Sequence, residues 1–505
     1  MTRRFAGLAL VTLALTSGTA AQKTSDAIKI PFETYTLPNG LTSILSVDRS
    51  TPTVAVSVWY HVGSKNELAG RTGFAHLFEH VMFTGSGHAA YGIHDKLTNG
   101  VGGSNNGTTD NDRTQYYETV PSNYLESSLW LEADRMGFLL DTLDLAKLNA
   151  QRDIVKNERR QGVDNVPYGR AREILSEALY PKGHPYSWDV IGSMADLSAA
   201  SEEDVKSFFR LYYAPNNAYL AIVGDFDPAQ AKAWIRKYFG DLPRGQAITR
   251  PVLPPVTLDA ERRLVYEDRV QIPRLYVQWP TVGVKHGDET ALGILGSILS
   301  GTRTARLNKA LIYDQQAAAQ VSARQSSNED VGEFTMTITP RPEHSLTDLE
   351  AAADAIVEQL KAEGPTAEEL QKATASGELA FVSGIQSNLG KAGRLSSGAG
   401  YHGDPGYFKK DYQQTLAVTA ADVKRVANKY LTTGRVVLSI VPMGKPDQAS
   451  KPSESRKITG DRVGANGANG PDGAKGAGAN GANGANGAGA NGAGAEGARG
   501  AEVRR

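Results

Sequence analysis

The chain contains no cysteine. Disulfides and thiolate metal sites are therefore excluded, and any transition-metal site must be built from histidine and carboxylates. Histidine is scarce as well, with 9 residues in 505, so each can be weighed in turn. Neither sign of charge is in excess: 54 Lys and Arg stand against 55 Asp and Glu. That balance argues against a nucleic-acid polyanion or an anionic membrane surface as partner. The apolar run Phe5 to Thr16 is too short to cross a bilayer comfortably. With Arg3 and Arg4 before it and Gly18-Thr19-Ala20-Ala21 after it, the run reads as an export signal over residues 1–21, so a periplasmic or secreted protein without a stable membrane span is expected.

The remaining composition suits a globular protein with more than one domain. Apolar residues make up 40% and charged residues 22%, an ordinary balance, and the length allows two substantial cores. Residues 22–245 alternate strand and helix signals. Thr34 to Leu45 holds Asn39-Gly40, the signature of a two-residue hairpin turn. A Pro-rich stretch leads into a linker at 246–260, and residues 261–448 repeat the same grain. Asp204-Val205-Lys206 reappears as Asp422-Val423-Lys424, and at that offset of 218 residues Tyr212 falls on Tyr430 and Ile222-Val223 on Ile440-Val441. Such a spacing is far beyond a solenoid period and reads as a duplicated domain. Residues 449–505 are expected to be a disordered tail, since from Gly464 onward the chain is almost entirely Gly, Ala and Asn and has nothing to bury.

The chemistry lies in Thr72-Gly73-Phe74-Ala75-His76-Leu77-Phe78-Glu79-His80-Val81-Met82-Phe83. Phe74, Leu77, Phe78, Val81 and Met82 form one apolar stripe at helical spacing. Thr72 is expected to cap the start and Gly85 to end the helix. His76, Glu79 and His80 fall on the opposite side, and residues four apart are neighbours there, so both imidazoles can reach one point. Neutral imidazoles are good zinc ligands, and a carboxylate beside them can take a proton from water. His-x-x-Glu-His is the inverted form of the metalloprotease motif. A third ligand is required. Glu158 lies on the helix expected over residues 145–161, but spacing alone leaves it one of several candidate carboxylates. His61, His88, His94, His184, His286, His344 and His402 lack register with the motif and read as solvated or structural.

Around this motif the chain resembles the M16 (pitrilysin-like) metallopeptidases, in their shorter bacterial and processing-peptidase branch. The residues that carry the likeness are Gly63-Ser64-Lys65-Asn66-Glu67, the zinc motif itself, Gly102 to Thr109, Glu132-Ala133-Asp134-Arg135-Met136, Gln151 to Glu158, and His184-Pro185-Tyr186. The resemblance implies an α+β fold of two homologous domains, each a mixed, mostly antiparallel sheet covered by helices. It implies one Zn2+ per chain on His76, His80 and Glu158, with Glu79 activating water and Gln151 supporting the site where the family often has Glu. It also implies that Ser104, Asn105, Asn106, Gly107 and Thr108 form an edge strand that holds extended peptide.

Two features of the resemblance shape the expected partner. Active members need an Arg and a Tyr from a second-type domain, and Ile312 and Ala319 occupy those positions here. The 218-residue offset puts Ile294, Ser297 and Ile298 where the second domain would carry ligands, so no second metal site is expected. The chain therefore reads as the zinc-bearing endopeptidase subunit of a heterodimer whose homologous partner supplies Arg and Tyr. The alternative is a non-catalytic peptide-binding paralogue.

Overall fold

Two six-stranded sheets share one strand order in the computed structural model of the chain, which describes residues 28–251 and 253–459. The first comprises β1 (Glu33–Thr36), β2 (Thr42–Val47), β3 (Thr53–Tyr60), β4 (Ser104–Thr109), β5 (Thr114–Pro121) and β6 (Ala218–Gly224), ordered β1-β2-β6-β3-β5-β4. The second comprises β7 (Arg262–Asp268), β8 (Arg274–Val282), β9 (Ala318–Ser327), β10 (Val331–Pro340), β11 (Val436–Pro442) and β12 (Arg456–Ile458), ordered β12-β7-β11-β8-β10-β9. In each sheet the pairing is antiparallel except around β2 with β6 and around β7 with β11 and β12. Helices cover both sheets, as an α+β fold of two related halves requires.

The duplication is sharpest at the end of each half. Helix Glu202–Tyr212 and β6 match helix Ala420–Tyr430 and β11 at 218 residues throughout, and both helices open on a capping box, Ser201 with Asp204 and Thr419 with Asp422. Such boxes satisfy two of the helix's free N–H groups reciprocally. They start each helix at the same point relative to the strand that comes after it.

The central strands β3, β6 and β11 read as nearly continuous apolar runs because both faces of the sheet are covered there. Val54, Val56, Val58, Leu220 and Ile222 face the helices of their own half. The alternate residues Ala55, Ala221 and Val223 pack instead on Leu395 and Ala399, from helix Asn388–His402 of the second half. The exchange is reciprocal: helix Ala171–Leu179 of the first half lies on Leu264, Leu438 and Ile440 of the second sheet. No helix among the described residues is long and apolar enough to cross a membrane.

Three local expectations fail for physical reasons. Asn39-Gly40 does not make a two-residue turn, since Thr36 pairs with Thr42 and leaves a longer connection. The Asn39 amide is drawn away to donate to the carbonyls of Phe239 and Leu242, at 2.8 and 2.9 Å. Thr72 does not cap the motif helix, because its hydroxyl donates to Asp196 at 2.6 Å and Gly73, at φ +90°, takes the cap position. The tail does not begin at 449: residues 456–458 form β12, which extends the second sheet alongside β7. The expected export signal and the Gly, Ala and Asn-rich stretch lie outside the described residues.

Candidate metal centre

The motif helix spans Phe74–Val81, with Phe74, Ala75, Leu77, Phe78 and Val81 buried. Its start is held by Glu67, whose carboxylate accepts the N–H groups of Gly73 and Ala75 at 3.0 and 2.8 Å. An acceptor of this kind satisfies otherwise free donors at the positive end of a helix. Burial nevertheless pushes the Glu67 carboxyl up to about 8. Beyond Val81 the chain tapers through short turns to Gly85, whose φ of +92° redirects it. The carboxylate that meets the motif comes from helix Leu145–Arg159, which packs alongside.

Three donor atoms converge there. His76 Nε2 and His80 Nε2 are 3.3 Å apart, and Glu158 Oε2 lies 3.7 Å from the first and 3.2 Å from the second. Ligands at about 2.0–2.1 Å from a tetrahedral zinc are about 3.3–3.4 Å apart, so the three atoms stand at the spacing such an ion requires. Burial, and then His80 beside it, push the His76 imidazole down to about 4. It is therefore neutral at neutral pH, as a ligand must be. Burial opposes the charge on Glu158, but the hydrogen bond to His80 and the two imidazoles hold its carboxyl below the ordinary range. The residues present fit zinc.

Glu79 points between this group and the edge of the first sheet. Its Oε2 accepts the Thr109 hydroxyl at 2.7 Å. Burial raises its pKa, and the Thr109 bond works against that rise. β4 pairs with β5 alone and leaves its outer edge open. Its alternation turns Gly107 and Thr109 toward the motif helix, whereas Ser104 and Asn106 are exposed. At Gly107 a Cβ would stand 2.9 Å from Glu79 Cγ, so only glycine lets the strand come this close. Asn105 donates to Thr98 and Asp95, and Thr108 accepts from Arg113. The contact from Thr109 is not among the sequence expectations, although its place two residues after Gly107 on one strand face is the signal that would have found it.

Gln151 departs from expectation. Among the described residues its side chain makes no hydrogen bond, and His76 Nδ1 is buried without a partner. Gln151→Ala is accordingly expected to change zinc affinity by less than about 3-fold, whereas loss of a bonded supporting residue costs about 10–100-fold. Competition against a chelator measures this directly.

Of the other histidines, His61 bonds Glu329 at 2.6 Å and His88 bonds Asp134 at 2.6 Å, whereas both ring nitrogens of His94 are buried without a partner. Asp112, Glu329 and Asp330 form a second acidic group, but Lys65 Nζ already sits among them at 3.0, 2.5 and 2.9 Å. In the second half Ile294 and Ile298 are buried core residues. Ile312 is half-buried in the turn Asn308–Asp314, and Ala319 is exposed on β9.

The chain is similar to known proteins over most of its length. A family described as Insulinase (Peptidase family M16) matches residues 43–186, and one described as Peptidase M16 inactive domain matches residues 199–376. The zinc protease PqqE of Helicobacter pylori is 30% identical over 79% of this chain and 90% of that protein. An uncharacterized zinc protease of Bacillus subtilis, YmxG, is 22% identical over 81% of this chain and 98% of its own length. A protease from Helicobacter pylori of known crystal structure superposes with a TM-score of 0.77 at 29% identity, covering 82% of this chain and 99% of that one. Two matching domains in order, and relatives named zinc proteases along nearly their whole length, establish that this chain belongs to the M16 peptidase family.

Proposed function

We propose that the chain is the zinc-bearing subunit of an exported metalloendopeptidase that cuts extended peptides or unfolded segments, acting with a homologous partner. The observation that carries this reading is the meeting of His76, His80 and Glu158 at tetrahedral spacing beside Glu79 and an open strand edge. The first half, 22–245, and the second, which runs from 261 through β12, are joined through 246–260. The first half does the chemistry. Arg3, Arg4 and the apolar run after them support export.

When bound, zinc supplies Lewis acidity that lowers the pKa of water and polarises a scissile carbonyl. His76, His80 and Glu158 hold it, one ion per chain. Peptide adds to β4 as a further strand, its backbone bonding along Ser104 to Thr108 without a demand on sequence. Glu79 takes the proton of the attacking water and delivers it to the leaving amine. The Thr109 hydroxyl fixes Glu79 Oε2 and favours its charged form. Thr109→Val therefore raises the Glu79 pKa further, and the acid limb of kcat/KM moves to higher pH. An unmoved limb in the pH profile would show that the bond is not made during turnover.

Ile312 and Ala319 offer no hydrogen-bond donor for substrate, and this is why a partner with Arg and Tyr is part of the reading. The same absence, together with the unbonded Gln151, favours a second reading as a non-catalytic peptide-binding paralogue. A fluorogenic-peptide assay with and without a co-expressed homologue separates them. Hydrolysis only with the partner supports the first, strong hydrolysis by the chain alone removes the need for a partner, and peptide binding without hydrolysis in both arms supports the second.

A further inference from the structure

Glu158 occupies the next-to-last position of its helix, and the segment beyond that helix runs out of its own half. The chain passes from Arg159 through the wide turn Arg160–Asp164 to Tyr168, then into helix Ala171–Leu179, which is seated on the second sheet. Arg159 is buried and donates to the Gly192 carbonyl at 2.8 Å and to both oxygens of Glu173 at 3.1 Å. The end of the Glu158 helix is thus pinned on one side to the loop that packs on the start of the motif helix. On the other side it is pinned to a helix that belongs spatially to the second half.

Tyr168 is the point where the two halves meet on this path. Its φ is +62°, a left-handed conformation that a residue with a Cβ rarely adopts. Such backbone persists where surrounding contacts over-determine it. Here the contacts from beyond its own turn come from the end of β7, the start of β8 and the connection between them. The Tyr168 N–H donates to Asp268 Oδ2 at 2.8 Å, its hydroxyl donates to the Ile272 carbonyl at 2.6 Å, and the Arg274 guanidinium lies 3.7 Å from the ring centroid. Amide, hydroxyl and ring are all engaged, and all by the half that carries no ligand.

We propose that Tyr168 is a positioning residue for the metal, fastening the segment after Glu158 to the second half so that this half sets where the third ligand lies. The inference rests on the zinc reading above. It gives the metal-free half a part in building the site, in addition to covering a sheet. Because Tyr168 acts through Glu158, its effect on zinc exists only while Glu158 is there.

The test is a double-mutant cycle on the full chain, read as zinc dissociation constant by chelator competition and as unfolding midpoint in parallel. Tyr168→Gly removes hydroxyl and ring but tolerates the positive φ, and Arg274→Met removes the guanidinium stacked on the ring and leaves the turn alone. Each is expected to weaken zinc about 10-fold in the chain with Glu158 and to change it less than about 2-fold in the Glu158→Ala background. If Tyr168→Gly does not fold, the Arg274→Met pair carries the same comparison. Unchanged affinity in the Glu158 chain, or an equal loss in both backgrounds, overturns the proposal and leaves the metal centre standing. Absence of zinc from the unmodified chain defeats the metal reading itself.

Discussion

Glu79→Gln is expected to lower peptide hydrolysis by about 100- to 10,000-fold, the range for removal of a positioned general base, while the variant keeps its full equivalent of zinc. The separation arises from geometry. Glu79 lies on the ligand side of the motif helix but outside the trio of converging donors, and its Oε2 is engaged by Thr109. An amide of the same shape can still accept that hydroxyl, so the strand edge stays in place. It cannot, however, accept a proton from water. Assaying turnover and metal content on one preparation checks both halves of the expectation, and loss of zinc from the Gln variant would move Glu79 into the ligand set.

His80→Ala gives the opposite pattern, in which zinc and turnover disappear together. His80 Nε2 is within 3.3 Å of His76 and 3.2 Å of Glu158, so it is shared by both short donor pairs. Supporting residues alone cost about 10–100-fold in affinity when lost, and removal of a ligand itself is expected to exceed about 100-fold. The fold should survive. The helix is anchored by Phe74, Leu77, Phe78 and Val81 on its buried side, and alanine is a strong helix former. Elemental analysis with an unfolding curve separates a lost metal from a lost structure. A His80→Ala chain that still hydrolyses peptide would place the reacting water elsewhere.

Much of this candidate centre was legible in the sequence because the first two residues proposed to hold the metal are local. His76 and His80 are a helical turn apart, and the apolar stripe across from them fixes which way they point. The third proposed ligand was not legible in that way. Glu158 is far along the chain, carboxylates on solvated helix faces are common, and resemblance to a family singled it out. The duplicated halves were visible at Tyr212 and Tyr430 because capping boxes and buried strands leave periodic traces. The exchange of helices between halves left none, since Ala171–Leu179 and Asn388–His402 are amphipathic whichever sheet they cover. Asn39, Thr72 and Glu67 were obscure for a related reason. Asn39 and Thr72 bond groups that only tertiary folding brings near, and Glu67 caps a helix start six residues beyond it rather than at the usual cap position. Tyr168 belongs with them, because nothing in its neighbourhood of the chain announces a left-handed residue.

X-ray absorption at the zinc edge of the purified chain, on a sample with metal content measured, tests the central claim most directly. The account predicts one zinc per chain, bound by two imidazole nitrogens and carboxylate oxygen at about 2.0–2.1 Å, with no sulfur. A chain that takes up no stoichiometric metal, or one whose zinc shows no imidazole scattering, would contradict it.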